Sequence, residues 1–332
     1  MRAAVFDTTG APDVIRVADV STPEPKPGEV RVRIRCASIN PIDTYIRSGA
    51  APMPLPKPAI TGTDFAGVVD AVGPGVTRFK PGDRVWGSNQ GLLGRQGTCA
   101  EFACVEQQWA YPAPDEVSDE QAAGVALVGI TAHIGLFQRA RLTQGETVFV
   151  NGGTGGVGSM VIQMAKAAGA RVICTVGSDE KGQLARALGA DFVINYRRDD
   201  VPTCVKEFTG GSGINVWYET LPPADFDKTV DLMSPRGRVV VMAGRAARPV
   251  LPNGLFYVKG LSLLGFAMFN MTADEQRTCA TDIARWLQDG KLKVIIGARF
   301  PLAETAKAHE LQEENTLRKA GTLTGKIVIQ PT

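Results

Sequence analysis

Residues 147–168, TVFVNGGTGGVGSMVIQMAKAA, constrain the fold more than any other stretch of this chain. An apolar strand (147–150) runs into a glycine-dense turn and then into an amphipathic helix (159–168), with a second apolar strand at 171–175. Gly153, Gly155 and Gly158 carry the G-x-G-x-x-G spacing. Glycines there permit a tight turn, close approach of the backbone to a pyrophosphate, and close packing of helix on strand. The unpaired N–H groups and positive dipole end of the following helix complete an anion cradle. The expected element is a βαβ dinucleotide site, with Gly153, Thr154, Gly155, Gly156, Val157 and Gly158 in contact with the cofactor.

Six apolar strands are expected in this half of the chain, at 147–151, 171–175, 191–194, 214–219, 238–243 and 261–266, with helical patterns between the first five. That count matches a doubly wound parallel sheet. The first 125 or so residues differ. VRVRIRCAS (30–38), FAGVVDAVG (65–73), DRVWG (83–87) and AEFACV (100–105) are short β-type runs punctuated by proline and glycine turns such as PEPKPGE and KPGDRV. Helix near 272–289, strand near 293–300, helix near 303–314 and strand at 325–330 cannot simply extend the six-stranded sheet, so this tail is expected to return to the β-rich part.

Composition excludes several classes. With 332 residues, 44% hydrophobic and 21% charged, the chain is ordinary globular material long enough for two domains. A net charge of +2 and no basic run longer than pairs such as Arg197–Arg198 disfavour a nucleic-acid partner. The six cysteines are scattered without a C-x-x-C pair, which fits a reducing compartment. The N-terminus alternates like a strand, and no later window approaches the ~18 uninterrupted apolar residues of a membrane span. A cytoplasmic protein with no membrane partner is expected.

Several strings together resemble the quinone oxidoreductase (zeta-crystallin-like) branch of the medium-chain dehydrogenase/reductase superfamily: SINPIDTYIRSG (38–49), ITGTDFAGVVDAVGPGV (60–76), FKPGDRVW (79–86), GITAH (129–133), NGGTGGVG (151–158), LGADFVINYR (188–197), GRVVVMAG (237–244) and TGKIVI (324–329). The resemblance implies an α/β protein: a GroES-like β-rich catalytic domain from 1–126 and 269–332, and a Rossmann domain over 127–268. It implies a nicotinamide cofactor in the cleft between the two, an activity toward quinones, and a homodimer or homotetramer.

Zinc-dependent members of the superfamily hold metal with a cysteine where this chain has Asn40 and a His-Glu pair where it has Thr63 and Asp64. Zinc takes Cys, His and carboxylate ligands, so no metal is expected. Cys99 and Cys104 read as packed thiols, and His133 and His309 as surface imidazoles. Without a Lewis acid, the chemistry should be hydride delivery to an acceptor that is already electron-poor, a quinone or a conjugated carbonyl.

The end of the second strand should carry an acid if the cofactor is NAD. CTVGSDEK offers none there, and Gly177 with Ser178 leaves room for a phosphate, with Asp179 and Glu180 at the start of the next helix. The resemblance implies that Lys181 and Tyr196 contact a 2′-phosphate, joined by Arg197, which makes the expected cofactor NADPH. It also places Asn40, Tyr45 and Thr131 around the nicotinamide, with backbone near Gly244, Phe266 and Met268 on its carboxamide and Lys326 in the cofactor set. Tyr45, read as lying on a turn, is the candidate donor to the developing oxyanion, with Asn40 beside it. Ala51 stands where many relatives carry a second tyrosine, which weighs against an enoyl-thioester or alkenal reductase. A non-catalytic nucleotide- or RNA-binding crystallin-like role is the reading from another class. The apolar run at 262–266 would leave an open sheet edge unless covered.

Overall fold

The computed structural model describes residues 1–331 and divides into two compact units, Met1–Leu127 with the chain from Thr272 onward, and Val128–Met271. The first unit opens with β1 (Arg2–Phe6), β2 (Arg16–Asp19) and β3 (Glu29–Ile39), then α1 (Pro41–Ser48), β4 (Ala59–Ile60), β5 (Asp64–Val72), β6 (Arg84–Gly87), β7 (Phe102–Glu106) and β8 (Ala110–Pro112). In β3 the alternation VRVRIR buries Val30, Val32 and Ile34, while Arg31 and Arg33 meet Asp70 on the other face. That inward face joins Phe65, Val69 and Val85 in the core.

α2 (Asp119–His133) continues as a π-helical stretch, Ile134–Arg139. By length and mean hydropathy (1.3) Asp119–Arg139 could cross a membrane, but 78% of its apolar window is buried inside the protein, as in a core helix.

The second unit alternates: β9 (Thr147–Asn151), α3 (Gly156–Ala167), β10 (Arg171–Val176), α4 (Asp179–Ala187), β11 (Phe192–Asn195), α5 (Val201–Thr209), β12 (Ile214–Glu219), α6 (Phe226–Leu232), β13 (Met233–Val241), α7 (Asn253–Val258) and β14 (Ser262–Gly265). Every pairing is parallel, in the order β11-β10-β9-β12-β13-β14. This is the 3-2-1-4-5-6 order of a doubly wound nucleotide sheet, whose strand order reverses between β9 and β12. A short helix, α7, also fills the connection between the fifth and sixth strands, where no helical pattern is evident in the sequence.

The tail supplies α8 (Ala273–Gln288), β15 (Ile296–Pro301), α9 (Thr305–Thr316) and β16 (Lys326–Gln330) to the first unit. β16 pairs antiparallel with β3, Ile327 opposite Ile39, in a sheet ordered β15-β16-β3-β5-β6-β8 with β7 also on β3.

Two expectations are corrected here. Tyr45 lies on a helix, not a turn. Asn40 and Pro41 do break β3, but proline is favoured at the first helical position, where its missing N–H is no loss. Asp43 three residues on accepts from the Asn40 N–H (2.7 Å), and Gly49 ends the helix at φ +82°. Nor are the imidazoles on the surface: His133 and His309 are both buried. His309 reaches Thr61 Oγ1 (3.0 Å), and burial beside Arg47 depresses its pKa to about 3.

Candidate functional site

The glycine loop leaves β9 and is tied to β10 by its backbone. Gly152 N–H donates to Thr175 Oγ1 and Gly153 N–H to the Thr175 carbonyl, both at 2.9 Å. Gly152 takes φ +85°, the left-handed region that glycine enters without cost. A Cβ on Gly153 would stand 2.7 Å from Cys174 Sγ, and one on Gly158 only 2.1 Å from the Gly152 carbonyl oxygen. Those two glycines permit the turn and the close packing of α3. Gly155 is different. It caps α3 in extended geometry, and a Cβ there would meet nothing nearer than 3.5 Å. The open space above Gly155, with Thr154, Gly156 and Val157 beside it, faces the N-terminus of α3, where backbone N–H groups favour an anion.

At the end of β10, Gly177 faces the Tyr196 hydroxyl so closely that a Cβ would approach it to 2.6 Å. Ser178 caps α4, accepting from the Lys181 N–H. Burial, and then the neighbouring charge of Arg197, lowers the Lys181 pKa. Two cations and a phenol therefore gather at one spot, and Asp179 beside them is paired with Arg198 (2.9 Å) and bonded by Asn195. Such a cluster suits a dianion.

Gly244 (φ +87°) follows β13, and Phe266 and Met268 follow β14. In a parallel sheet these positions share the carboxyl edge with the glycine loop. Thr131 is nearly buried in α2, and its carbonyl accepts from Tyr218 Oη (2.8 Å). Four residues at this edge escape the motif reading: Asn151, Gly152, Thr175 and Glu219. Glu219 ends β12 beside the order reversal, buried, accepting from Asn151 Nδ2 (2.8 Å), Trp217 Nε1 (3.2 Å) and Leu221 N–H (2.8 Å). Its burial raises its pKa against those bonds. A polar side chain ending each strand that flanks the reversal is the signal that could have found Asn151 and Glu219.

In the first unit a buried polar cluster surrounds the start of α1. Asn40 Nδ2 donates to Thr63 Oγ1 (3.0 Å) and Asp64 Oδ2 (2.7 Å), and Asn40 Oδ1 accepts from Lys326 Nζ. Lys326 also donates to the Ile39 carbonyl (2.9 Å) and lies 3.9 Å from Asp64. Burial, with the charge of Asp64, lifts Asp43 to about 7; burial also raises Asp64 and lowers Lys326. Asn40 and Lys326, expected from the sequence to contact the ligand, here bond to each other. Both are buried, and the carboxamide and ammonium are already engaged with protein groups. Tyr45, one turn further along α1, is half-buried, its pKa raised by burial, and no described residue bonds its hydroxyl. Ala51 is buried against the end of the same helix, its N–H on the Tyr45 carbonyl (2.9 Å).

The sequence matches two families: the alcohol dehydrogenase GroES-like domain over residues 26–115 and the zinc-binding dehydrogenase family over 156–286. A quinone oxidoreductase of Pseudomonas aeruginosa is 36% identical over 98% of both chains. The chain belongs to the quinone oxidoreductase branch of the medium-chain dehydrogenase/reductase superfamily. Among solved structures, Escherichia coli quinone oxidoreductase complexed with NADPH is 29% identical with a TM-score of 0.87, both chains covered fully. An NAD-dependent alcohol dehydrogenase, again with full coverage of both, is 34% identical with a TM-score of 0.90. Family membership therefore spans different cofactors and acceptors, and residues of this chain must decide between them. Asn40, Thr63 and Asp64, which the sequence resemblance sets against the zinc ligands of metal-dependent relatives, bond to one another, and Asp64 lies 3.9 Å from Lys326. Among the described residues no group of three His, Cys, Asp or Glu side chains could hold a metal ion, and all six cysteines are free thiols.

Proposed function

We propose that this protein is an NADPH-dependent, zinc-independent oxidoreductase that reduces quinones or other electron-poor conjugated carbonyls in the cytoplasm. The observation that carries the cofactor assignment is the meeting of Lys181, Arg197 and Tyr196 beside Gly177, at a strand end where residues 174–178 carry no carboxylate to accept from a ribose 2′-hydroxyl. When bound, NADPH supplies the hydride. The glycine loop holds the pyrophosphate, and Lys181, Tyr196 and Arg197 select the 2′-phosphate. Thr131 and the backbone near Gly244, Phe266 and Met268 orient the nicotinamide. Tyr45 Oη donates to the acceptor oxygen on which negative charge grows. Asn40 and Lys326 take a framework role. The names of the relatives support the quinone as acceptor, and the engagement of Thr63 and Asp64 with Asn40, and of Asn40 with Lys326, supports chemistry without a metal.

The test is oxidation of NADPH and of NADH with a panel of small quinones, before and after exhaustive chelation. Preference for NADH would overturn the cofactor assignment, and loss of turnover on chelation the zinc-free one. Faster turnover of a simple enone or an enoyl thioester would move the substrate class. A homodimer or homotetramer is also proposed, because β14 is a sheet edge with Leu263 exposed and Val250, Tyr257 and Val258 uncovered in the segment before it. A monomeric mass by light scattering at micromolar concentration would refute it.

A further inference from the structure

We propose that the Lys326 ammonium is a built-in cation. It replaces a metal ion as the counter-charge for Asp64 and Asp43, and it acts through Asn40 as a positioning residue for the helix that carries Tyr45. The part concerning Tyr45 rests on the functional reading above; the part concerning the cation does not.

Geometry carries the argument. β16 lies against β3 with Ile327 opposite Ile39, which sets Lys326 beside the residue where β3 gives way to α1. Its Nζ donates to the Ile39 carbonyl and to Asn40 Oδ1 and stands 3.9 Å from Asp64 Oδ2, so the amine sits at ion-pair distance from a buried acid while two acceptors fix its direction. Asn40 is polarised from both ends. The ammonium holds its oxygen, while Thr63 and Asp64 accept from its nitrogen, so the carboxamide has one orientation only. The backbone N–H of the same residue is held by Asp43. Asn40, Thr63 and Asp64 stand at the positions that carry ligands in zinc-dependent relatives, and here a lysine side chain from the last strand serves them. Their donors are inside the protein, where a charge without its partner is costly. Removing the ammonium should leave the buried acids without their counter-charge and the carboxamide oxygen without its donor, and the start of α1 from which Tyr45 is placed would loosen.

The test is Lys326→Ala, with methylammonium chloride as the probe and tetramethylammonium chloride as a control of equal charge that donates no hydrogen bond. We expect the variant to melt at lower temperature and kcat with a small quinone to fall at least about tenfold, with the KM for NADPH changed less than about threefold. Methylammonium should restore both the melting temperature and kcat saturably, and tetramethylammonium should restore neither. A variant with wild-type melting and kcat, or equal rescue by both salts, would overturn the proposal. Should Lys326→Ala fail to fold, the charge-balanced pair Lys326→Met with Asp64→Asn decides. Recovery of folding by the pair relative to Lys326→Met alone supports the counter-charge role, and no recovery overturns it. Rescue of melting needs no turnover, so an inactive wild type would refute the functional reading while leaving the cation test intact.

Discussion

Two glycines of one loop should respond to alanine in opposite ways. At Gly158 the new Cβ would lie 2.1 Å from the Gly152 carbonyl oxygen and 3.2 Å from Gly153 Cα, so backbone must shift by about 1 Å to reach ordinary contact. Overpacking of this kind costs about 1–3 kcal/mol, and the upper end applies because the obstructing atom is main chain, not a flexible side chain. That corresponds to a fall in melting temperature of about 5–10 °C for a domain of this size. At Gly155 the backbone is already extended (φ −70°, ψ 169°) and the nearest atom is 3.5 Å away. A helix cap loses about 0.5–1 kcal/mol when alanine stands there, and the stiffer unfolded chain returns about 0.4–1 kcal/mol, so melting should hardly move. The methyl group instead projects into the space where the pyrophosphate must approach. Gly155→Ala should weaken NADPH by about tenfold or more, roughly 1.4 kcal/mol, at unchanged stability. Calorimetric melting and titration of NADPH measure both quantities on both variants. Unchanged melting of Gly158→Ala, or wild-type NADPH affinity of Gly155→Ala, would refute the geometry of the cradle.

Lys181→Ala should weaken NADPH by roughly five- to a hundredfold, the loss of one charge-assisted hydrogen bond, and leave NADH almost unaffected; equal losses in titrations of the two cofactors would remove the 2′-phosphate from this position. Tyr45→Phe keeps the ring and removes one hydroxyl, so kcat should fall about ten- to a thousandfold with the NADPH dissociation constant nearly unchanged. A change under about threefold would make Tyr45 a wall and nothing more. His309 should make the protein acid-sensitive. Its folded pKa of about 3 lies below the 6.5 of an exposed imidazole, so the unfolded chain binds a proton there that the folded chain does not. Stability from this group is complete above pH 6.5 and is lost as pH falls toward 3, by up to about 5 kcal/mol. Denaturant unfolding across that range should show a slope that His309→Gln flattens, and parallel curves for the two proteins would contradict the assignment.

The local code of this chain is strong wherever neighbours in sequence are neighbours in space. Apolar runs bounded by turns locate the six parallel strands, the alternation in VRVRIR gives the faces of β3, and the spacing of Gly153 and Gly158 already contains the turn that their missing Cβ atoms permit. The lack of a carboxylate over residues 174–178, where β10 ends, is equally a local fact. What tertiary structure alone decided is which polar groups remain available to a ligand. Asn40 and Lys326 look like ligand-contacting residues in sequence, yet they are 286 positions apart and bond to each other, because the antiparallel register of β16 on β3 brings the last strand to the first turn of α1. Helix or turn at Pro41 was likewise settled by the Asp43 carboxylate closing on the Asn40 N–H, while the imidazole of His309 is buried because Thr61 and Arg47 lie against it from distant segments. Hydrogen bonds between remote residues follow from strand register and burial, and neither can be read from composition or local periodicity.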